Sequence, residues 1–343
     1  MSPSQYTRIV LAERPKAEIT PTTFRRETVP FDLKPGNGQV LIQIHYLSLD
    51  PAMRGWLNDR RSYVPPVQIG ETMRASGLGV VVDVGEGSTL ARGDLVSGTL
   101  GWRDYVVLDE KHVQKLVVPE GAEPLDFLGA LGWTGFTAFV GLLEVGKLQP
   151  GDKLVVSGAA GATGSIACQI GKRQGAQVYA IAGSNEKCDW LEKEAGVDKA
   201  FNYKSPTFFS DFKTSVGYFD VFFDNVGGEI LDFLLTRMNK NARIVLCGAI
   251  SDYNSSQPRG LTGYLNLISQ RAKIEGFIVF DYVDRFPAGV EYLAAMLKDG
   301  SLKRKFHVVK GLEEAPQALT MLFNGGNTGK LVVKVNGVRE ARL

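Results

Sequence analysis

Cysteine and histidine are scarce in this chain, with three of each in 343 residues: Cys168, Cys188 and Cys247, and His45, His112 and His307. The cysteines are widely spaced, form no CxxC pair and follow no secretory apolar leader. They read as reduced core thiols of an intracellular protein rather than as a disulfide framework. A structural zinc site needs about four Cys or His ligands grouped in sequence, and the histidines lie far from one another and from every cysteine, so metal is disfavoured. Long apolar runs are missing too. Gly, Asp or Lys interrupts each apolar stretch before about 18 residues, which leaves no candidate bilayer span. Charge of one sign is also lacking: 39 basic against 37 acidic residues give +2, with no Lys/Arg block. An electrostatic grip on nucleic acid or on an anionic membrane is therefore not expected, and a small, roughly neutral partner is.

What is present, 44% hydrophobic and 22% charged residues, is ordinary globular usage at a length that suits about two domains. From Arg8 to about Leu116 the pattern is short and β-like. Val40, Ile42, Ile44 and Tyr46 alternate, and Gly79–Gly85 leads through a turn into Gly93–Val96. After Pro150 apolar strands alternate with helix patterns: Lys153 to Ser157, Gln177 to Ala182, Lys199 to Tyr203, Phe219 to Phe223, Arg243 to Cys247 and Lys273 to Phe280. Such alternation predicts a parallel sheet with right-handed crossovers, a doubly wound Rossmann layout. A helix over Asp284 to Lys298 closes that unit. The tail, with strand-like segments at Phe306–Val309 and Leu331–Val333 around a helix at Glu313 to Leu322, is too short to fold alone and is expected to return to the β-rich domain. The terminal Ala341-Arg342-Leu343 has the small-basic-Leu form of a peroxisomal address, with a chance ending the alternative in a cytoplasmic protein.

The strongest local signal runs from Gly151 to Ala167. A strand, a Gly-rich turn and a helix follow one another, with Gly158, Gly161 and Gly164 at three-residue spacing around Ala160, Ala162 and Thr163. Small residues there let a pyrophosphate approach the backbone, and the helix start offers N–H donors and a positive dipole end. A tight turn alone would also want glycine, but within six alternating strands the segment reads as a dinucleotide cradle. An NAD site places Asp or Glu at the tip of the second strand. Here that strand ends Ala182-Gly183-Ser184, and Lys187 follows in the next helix, so NADPH is expected as cofactor. The alternative for Lys187 is a solvated helix residue beside Glu186. Asn225, in Asp224-Asn225-Val226-Gly227-Gly228, suits either a hydrogen bond to ribose or carboxamide or a plain turn. The segment Cys247-Gly248-Ala249-Ile250-Ser251-Asp252-Tyr253 leaves the next strand in the same direction and places Tyr253 near the cofactor.

These residues resemble the zinc-independent medium-chain dehydrogenases/reductases, and within them the NADPH-dependent alkenal/one double-bond reductases, the group of prostaglandin reductase (leukotriene 12-hydroxydehydrogenase) and curcumin reductase. The resemblance rests on Leu47–Gly55, Gly135–Phe139, Ala159–Gly164, Gly183–Lys187, Phe201–Tyr203, Asp224–Gly228, Gly248–Asn254 and Gly329-Lys330. It implies an α/β chain with a GroES-like β-rich catalytic domain (1–131, completed by 307–343) and a doubly wound Rossmann NADPH-binding domain (132–306), assembled as a homodimer. By the same resemblance Lys187 would bind the 2′-phosphate, Tyr203 would lie along the adenosine half and Asn225 would hold the nicotinamide ribose region. Thr137, Phe277, Ile278, Val279 and Asn327 would border the nicotinamide. Many relatives carry Tyr after Asp-Pro where this chain has Ala52, and Tyr63 is the candidate to supply the missing hydroxyl from a neighbouring loop, with a surface turn as the alternative. The zinc relatives' Gly-His-Glu histidine is also absent: the stretch reads Ile69-Gly70-Glu71, and His45 is read as a structural imidazole.

The reaction so implied is metal-free reduction of the C=C bond of an α,β-unsaturated aldehyde or ketone. A hydroxyl aimed at the developing enolate would serve it, with Tyr253 as first candidate and Tyr63 as second. Alternatively Tyr253 only packs on the nicotinamide and water supplies the proton. Met53, Trp56, Trp133 and Phe280 are candidate pocket walls, with core packing as the alternative for each. Quinone reduction is a second reading, and a non-catalytic NADPH-binding sensor a third.

Overall fold

The structure, a computed structural model, describes residues 3–335, so Ala341-Arg342-Leu343 lies outside the described residues. Along the chain the first elements are β1 (Gln5–Leu11), β2 (Phe24–Pro30), β3 (Gln39–Ser48), α1 (Ala52–Trp56), β4 (Ser76–Val84), β5 (Leu95–Thr99), β6 (Tyr105–Asp109) and β7 (Val113–Lys115). Then come α2 (Trp133–Val140), β8 (Lys153–Val156), α3 (Ala162–Arg173), β9 (Gln177–Ala182), α4 (Asn185–Lys193), β10 (Lys199–Asn202), α5 (Phe208–Ser215), β11 (Phe219–Asp224), α6 (Gly228–Leu234) and β12 (Met238–Leu246). The remainder is α7 (Asn266–Gln270), β13 (Lys273–Gly276), α8 (Phe286–Lys298), β14 (Phe306–Lys310), α9 (Ala315–Asn324) and β15 (Lys330–Lys334).

The chain divides into two compact units. One holds the residues up to Pro119, Glu123–Leu128 and those from Phe306 onward, and the other holds Glu120–Ala122 and Gly129–Lys305. Glu120–Ala122 joins the second unit through an ion pair from Glu120 to Lys298 at 2.8 Å.

In the first unit the main sheet runs β14-β15-β3-β4-β5-β7, with β6 also on β3 and β1-β2 as a separate pair. β3 is its hub. Its first half pairs with β6 (Gln39↔Asp109 to Gln43↔Tyr105) and its second half with β15 (Tyr46↔Lys334 to Ser48↔Val332). Alternation of apolar residues turns Val40, Ile42 and Ile44 into a core with Ile9, Leu11 and Trp102, all at most 1% exposed. Each such side chain contributes about 1.5–3 kcal/mol on burial.

The second unit is a six-stranded parallel sheet in the order β10-β9-β8-β11-β12-β13. This is the doubly wound order, two βαβαβ halves meeting at β8 and β11. The central strands are apolar on both faces because helices cover both: Leu154, Val155, Val156, Phe222 and Phe223 are fully buried.

Three boundaries differ from the sequence pattern. The last strand of this sheet stops at Gly276 rather than at Phe280, because register with β12 ends at Leu246↔Gly276 and the Phe277 ring turns against Gly141. β12 starts at Met238, not Arg243, through a lead-in with Asn241 at φ +65° and a register shift opposite Phe219–Val221. The closing helix begins at Phe286 rather than Asp284, where Pro287 occupies the first turn and needs no intrahelical N–H partner.

Candidate functional site

The turn after β8 is built for close approach. Gly158 sits at φ +56°, and its carbonyl accepts the Gly161 N–H at 2.9 Å. A Cβ on Gly164 would lie 2.4 Å from that carbonyl, so only glycine lets α3 rest on the turn. Gly161 caps α3 with no side-chain bond. The first intrahelical bond is Ser165 N–H to the Gly161 carbonyl, and the amides of Ala162, Thr163 and Gly164 find no acceptor among the described residues. A turn of small residues, with glycine at 158, 161 and 164 and three amide donors at the positive end of a 12-residue helix, fits the pyrophosphate of a dinucleotide.

The end of β9 is different. Here α4 is capped by its own sequence, the Ser184 hydroxyl accepting the Lys187 N–H at 3.3 Å. No carboxylate stands at the strand tip. Lys187 is half-buried, and burial first, then the charge of Lys204, holds its ammonium below the usual lysine range. β10 lies parallel to β9 with Asn202 opposite Ala182, which brings Tyr203 over Gly183: a Cβ on Gly183 would be 3.1 Å from the Tyr203 ring. Ser184, Lys187 and an exposed Tyr203 are thus gathered at one corner, a donor set that fits a 2′-phosphate beside an adenosine and not a ribose hydroxyl.

At the end of β11, Asp224 is fully buried and accepts four bonds: the Ser157 hydroxyl at 2.6 Å, the Val226 N–H at 3.0 Å and the Gly227 N–H at 3.1 and 3.0 Å to its two oxygens. Burial still raises its carboxyl above the ordinary value. Asn225 donates its backbone N–H to the Ser157 hydroxyl at 2.9 Å and its carboxamide N–H to the Ser157 carbonyl at 2.7 Å. Its carboxamide oxygen is not used in either bond. The turn reading of this motif is therefore realised, with an acceptor left over. Asp224 and Ser157 were not among the expected site residues; an acid closing the apolar run Val221–Phe223 is the signal that marks Asp224.

Cys247 and Gly248 both give their N–H groups to the Asp224 carbonyl. Burial, then the Asp224 carboxylate, pushes the Cys247 thiol up to about 12, so it is not a thiolate at neutral pH. The segment curls back on itself. Tyr253, half-buried, accepts the Ala249 N–H at 3.2 Å, a bond that does not spend the hydroxyl proton. Ser251 donates to the Val226 carbonyl at 2.6 Å and so ties this segment, with Ile250, to the Asn225 turn.

Among the other expected residues of this unit, the Thr137 hydroxyl is bonded to its own helix, donating to the Trp133 carbonyl at 2.7 Å. Trp133 and Phe280, 40% and 41% exposed, meet edge to face with ring centroids 4.9 Å apart and present apolar surface. Phe277, Ile278 and Val279 lie between them and β13, in the irregular stretch that replaces the expected strand end.

In the first unit, Met53 is fully buried in the core, so here core packing and not a pocket wall describes it. Trp56 is partly buried and donates its indole N–H to the Tyr63 hydroxyl at 3.3 Å. Tyr63 itself, 47% exposed, belongs to the loop of residues 59–66, which curls around a shallow recess of about 430 Å³. Asn327 donates its carboxamide N–H to the Gly329 carbonyl at 3.0 Å. Beside it Lys330, 3% exposed, is ion-paired with Asp50 and so fastens β15 to the loop that leads into α1. His45, 3% exposed on β3, is kept neutral by burial, with a lesser push from Lys334.

Among the described residues no three His, Cys, Asp or Glu side chains come together as metal ligands. All three cysteines are free, and burial pushes each thiol up, Cys188 to about 11. This donor set does not fit zinc.

Two family models match the chain: an N-terminal domain of oxidoreductase over residues 7–116, and a zinc-binding dehydrogenase over residues 162–295. The NADPH-dependent curcumin reductase of Escherichia coli (strain K12) is 36% identical across 96% of this chain and 97% of its own length. The NADP-dependent 2-alkenal reductase of Nicotiana tabacum is 36% identical across 90% of this chain and 91% of its own. Among solved structures, CurA from Vibrio vulnificus in complex with NADPH superposes with a TM-score of 0.88 at 36% identity, covering 97% of this chain and all of that one.

Proposed function

The chain belongs to the medium-chain dehydrogenases/reductases, in their alkenal and double-bond reductase branch, and from that membership we propose that it reduces the C=C bond of α,β-unsaturated aldehydes and ketones with NADPH. The observation that carries the reading is the pairing of an uncapped α3 beneath a glycine cradle with a carboxylate-free, lysine-bearing tip of β9. Relatives named for curcumin and for 2-alkenals, both conjugated carbonyls, give the substrate class.

Bound NADPH would supply the hydride that adds to the β-carbon. Residues of the chain do the rest. Ala162, Thr163 and Gly164 offer their amides to the pyrophosphate, Lys187 and Ser184 hold the 2′-phosphate, and Tyr203 lies along the adenosine. Gly161, Asn225 and the stretch from Cys247 to Ser251 shape the floor, held rigid by the Asp224 network. Thr137, Phe277, Ile278, Val279 and Asn327 are assigned to the nicotinamide end. As the β-carbon accepts hydride, charge gathers on the substrate oxygen and a proton must reach the α-carbon. Tyr253, oriented by the Ala249 N–H, is the proposed donor, and Tyr63 the second candidate. Trp133 and Phe280 supply apolar ring surface for a conjugated substrate, and Trp56 is a further candidate wall.

A homodimer goes with this reading. β13 leaves one edge of the six-stranded sheet open, and the neighbouring Leu265 and Ile268 are 61% and 74% exposed. A cytoplasmic location accompanies it, in keeping with three unpaired cysteines. The test is NADPH consumption with a 2-alkenal, a conjugated enone, a quinone and a saturated aldehyde, repeated with NADH and with chelator. The expected result is chelator-insensitive, NADPH-preferring turnover of alkenal or enone to the saturated carbonyl. Turnover confined to the quinone makes the protein a quinone reductase, and binding of NADPH without turnover of any acceptor makes it a sensor; either result sinks the proposal.

A further inference from the structure

We propose that Lys204 is a second cation for the 2′-phosphate, closing with Lys187 as a two-point clamp that sets the preference for NADPH. The inference rests on the NADPH reading above and adds to it a specificity-determining residue that no sequence motif singled out. Its geometry comes from the register of two neighbouring strands. Asn202 is the β10 partner of Ala182, the last residue of β9, so the residues that follow each strand leave the sheet side by side. The two exits are then stitched together. Tyr203 donates its backbone N–H to the Ala182 carbonyl at 3.0 Å, and the Asn202 carboxamide N–H donates to the Asn185 side-chain oxygen in the first turn of α4 at 2.9 Å. The Asn202 oxygen in turn accepts the Lys204 N–H at 3.0 Å. Lys204 is thereby fixed to the same helix start that carries Lys187.

The side chain points the same way. Its ammonium lies 5.9 Å from the centroid of the Tyr203 ring, the ring that packs over Gly183 at the foot of α4. Lys204 has no carboxylate within ion-pairing distance among the described residues, unlike Lys172 and Lys193, whose ammonium groups are held by Asp198 and Asp189. Lys187 feels this neighbour as a like charge, in addition to its own burial.

Lys187 and Lys204 repel each other as like charges. A phosphate monoester carries about −1.5 to −2 at neutral pH and has three acceptor oxygens, enough for both ammonium groups and the Ser184 hydroxyl. A ribose hydroxyl in the same place relieves nothing. Attraction of both ammonium groups for the phosphate then favours the cofactor that carries it.

Isothermal titration calorimetry of the full chain with 2′,5′-ADP and with 5′-AMP tests this without any turnover. The wild type should bind 2′,5′-ADP the more tightly. Lys204→Ala should weaken 2′,5′-ADP about tenfold, the scale of one charge-assisted hydrogen bond, and leave 5′-AMP within about twofold. Lys204→Arg should retain most of the affinity, and the salt dependence of 2′,5′-ADP binding should be shallower in Lys204→Ala than in the wild type. If Lys187→Ala loses 2′,5′-ADP affinity while Lys204→Ala does not, Lys187 acts alone and the clamp is wrong. Equal losses for both ligands in Lys204→Ala would mean that the lysine only shapes the loop, which also overturns it. A wild type that fails to distinguish the two ligands removes the NADPH reading itself, and the clamp with it.

Discussion

The hydroxyl of Ser157 and the carboxylate of Asp224 meet at 2.6 Å at the ends of β8 and β11, the two central strands of the parallel sheet. One bond thus joins the start of the glycine turn to the start of the Asn225 loop, at the point where the doubly wound sheet changes direction and where such folds gather their ligands.

Removing the hydroxyl should therefore cost stability in a pH-dependent way. Ser157→Ala leaves a buried carboxylate short of one donor, at about 1–3 kcal/mol. The Asp224 carboxyl is already raised by burial, and losing a donor raises it further. A group whose folded value exceeds its unfolded one stabilises below the unfolded value and loses that contribution as pH rises through the folded one. The deficit of Ser157→Ala relative to wild type should accordingly stay level until the pH reaches the raised folded value of wild-type Asp224 and grow above it, towards the still higher value of the variant, read by urea denaturation at several pH values. A deficit that shrinks with rising pH would contradict this account.

Gly164→Ala should separate cofactor binding from folding. The added methyl meets the Gly158 carbonyl at 2.4 Å, so α3 must lift from the turn, at about 1–3 kcal/mol of strain. We expect NADPH affinity to fall at least about tenfold with a cooperative melt retained. Unchanged affinity in calorimetry would show that the helix start is not where the pyrophosphate sits.

Tyr253→Phe keeps the ring and removes the oxygen that accepts the Ala249 N–H and, in the proposed reaction, delivers a proton. General acid groups contribute about 10²–10⁴ to rate. Turnover of an enone should drop into that range with NADPH affinity nearly intact. A kcat equal to wild type would assign the proton to water.

Ile268→Asp, on the exposed face of α7 beside the open edge of β13, should shift the protein from dimer to monomer in sedimentation velocity without lowering its melting temperature. A wild type that sediments as a monomer at micromolar concentration would end the dimer proposal.

The sheet was legible in the sequence because each central strand is an apolar run bounded by polar residues, Leu154–Val156 by Lys153 and Ser157 and Val221–Phe223 by Asp220 and Asp224. The glycine cradle was legible for a related reason, since its spacing is local. Relationships set by register were not. Nothing near Lys204 in sequence announces that Asn202 will stand opposite Ala182, and nothing near Ser157 places Asp224 within reach. The same holds for burial: Met53 follows a loop-like Asp-Pro pair yet is sealed in the core, because Lys330, 280 positions away from Asp50, anchors that loop from β15. The last parallel strand reads too long in the sequence because Phe277–Phe280 is as apolar as a strand but finds its partners in Trp133 of α2 and at Gly141 just past that helix.

β3 takes β4 on one side, and on the other shares its length between β6 and β15. During synthesis this means that the backbone groups of Tyr46–Ser48 emerge without their partner and wait while the whole parallel sheet is made, for tens of seconds at about 5–20 residues per second. The half of the chain translated first is thus the half completed last. Until β15 arrives, that strip is an unprotected strand edge open to other chains, and a natural place for a chaperone to hold the nascent protein.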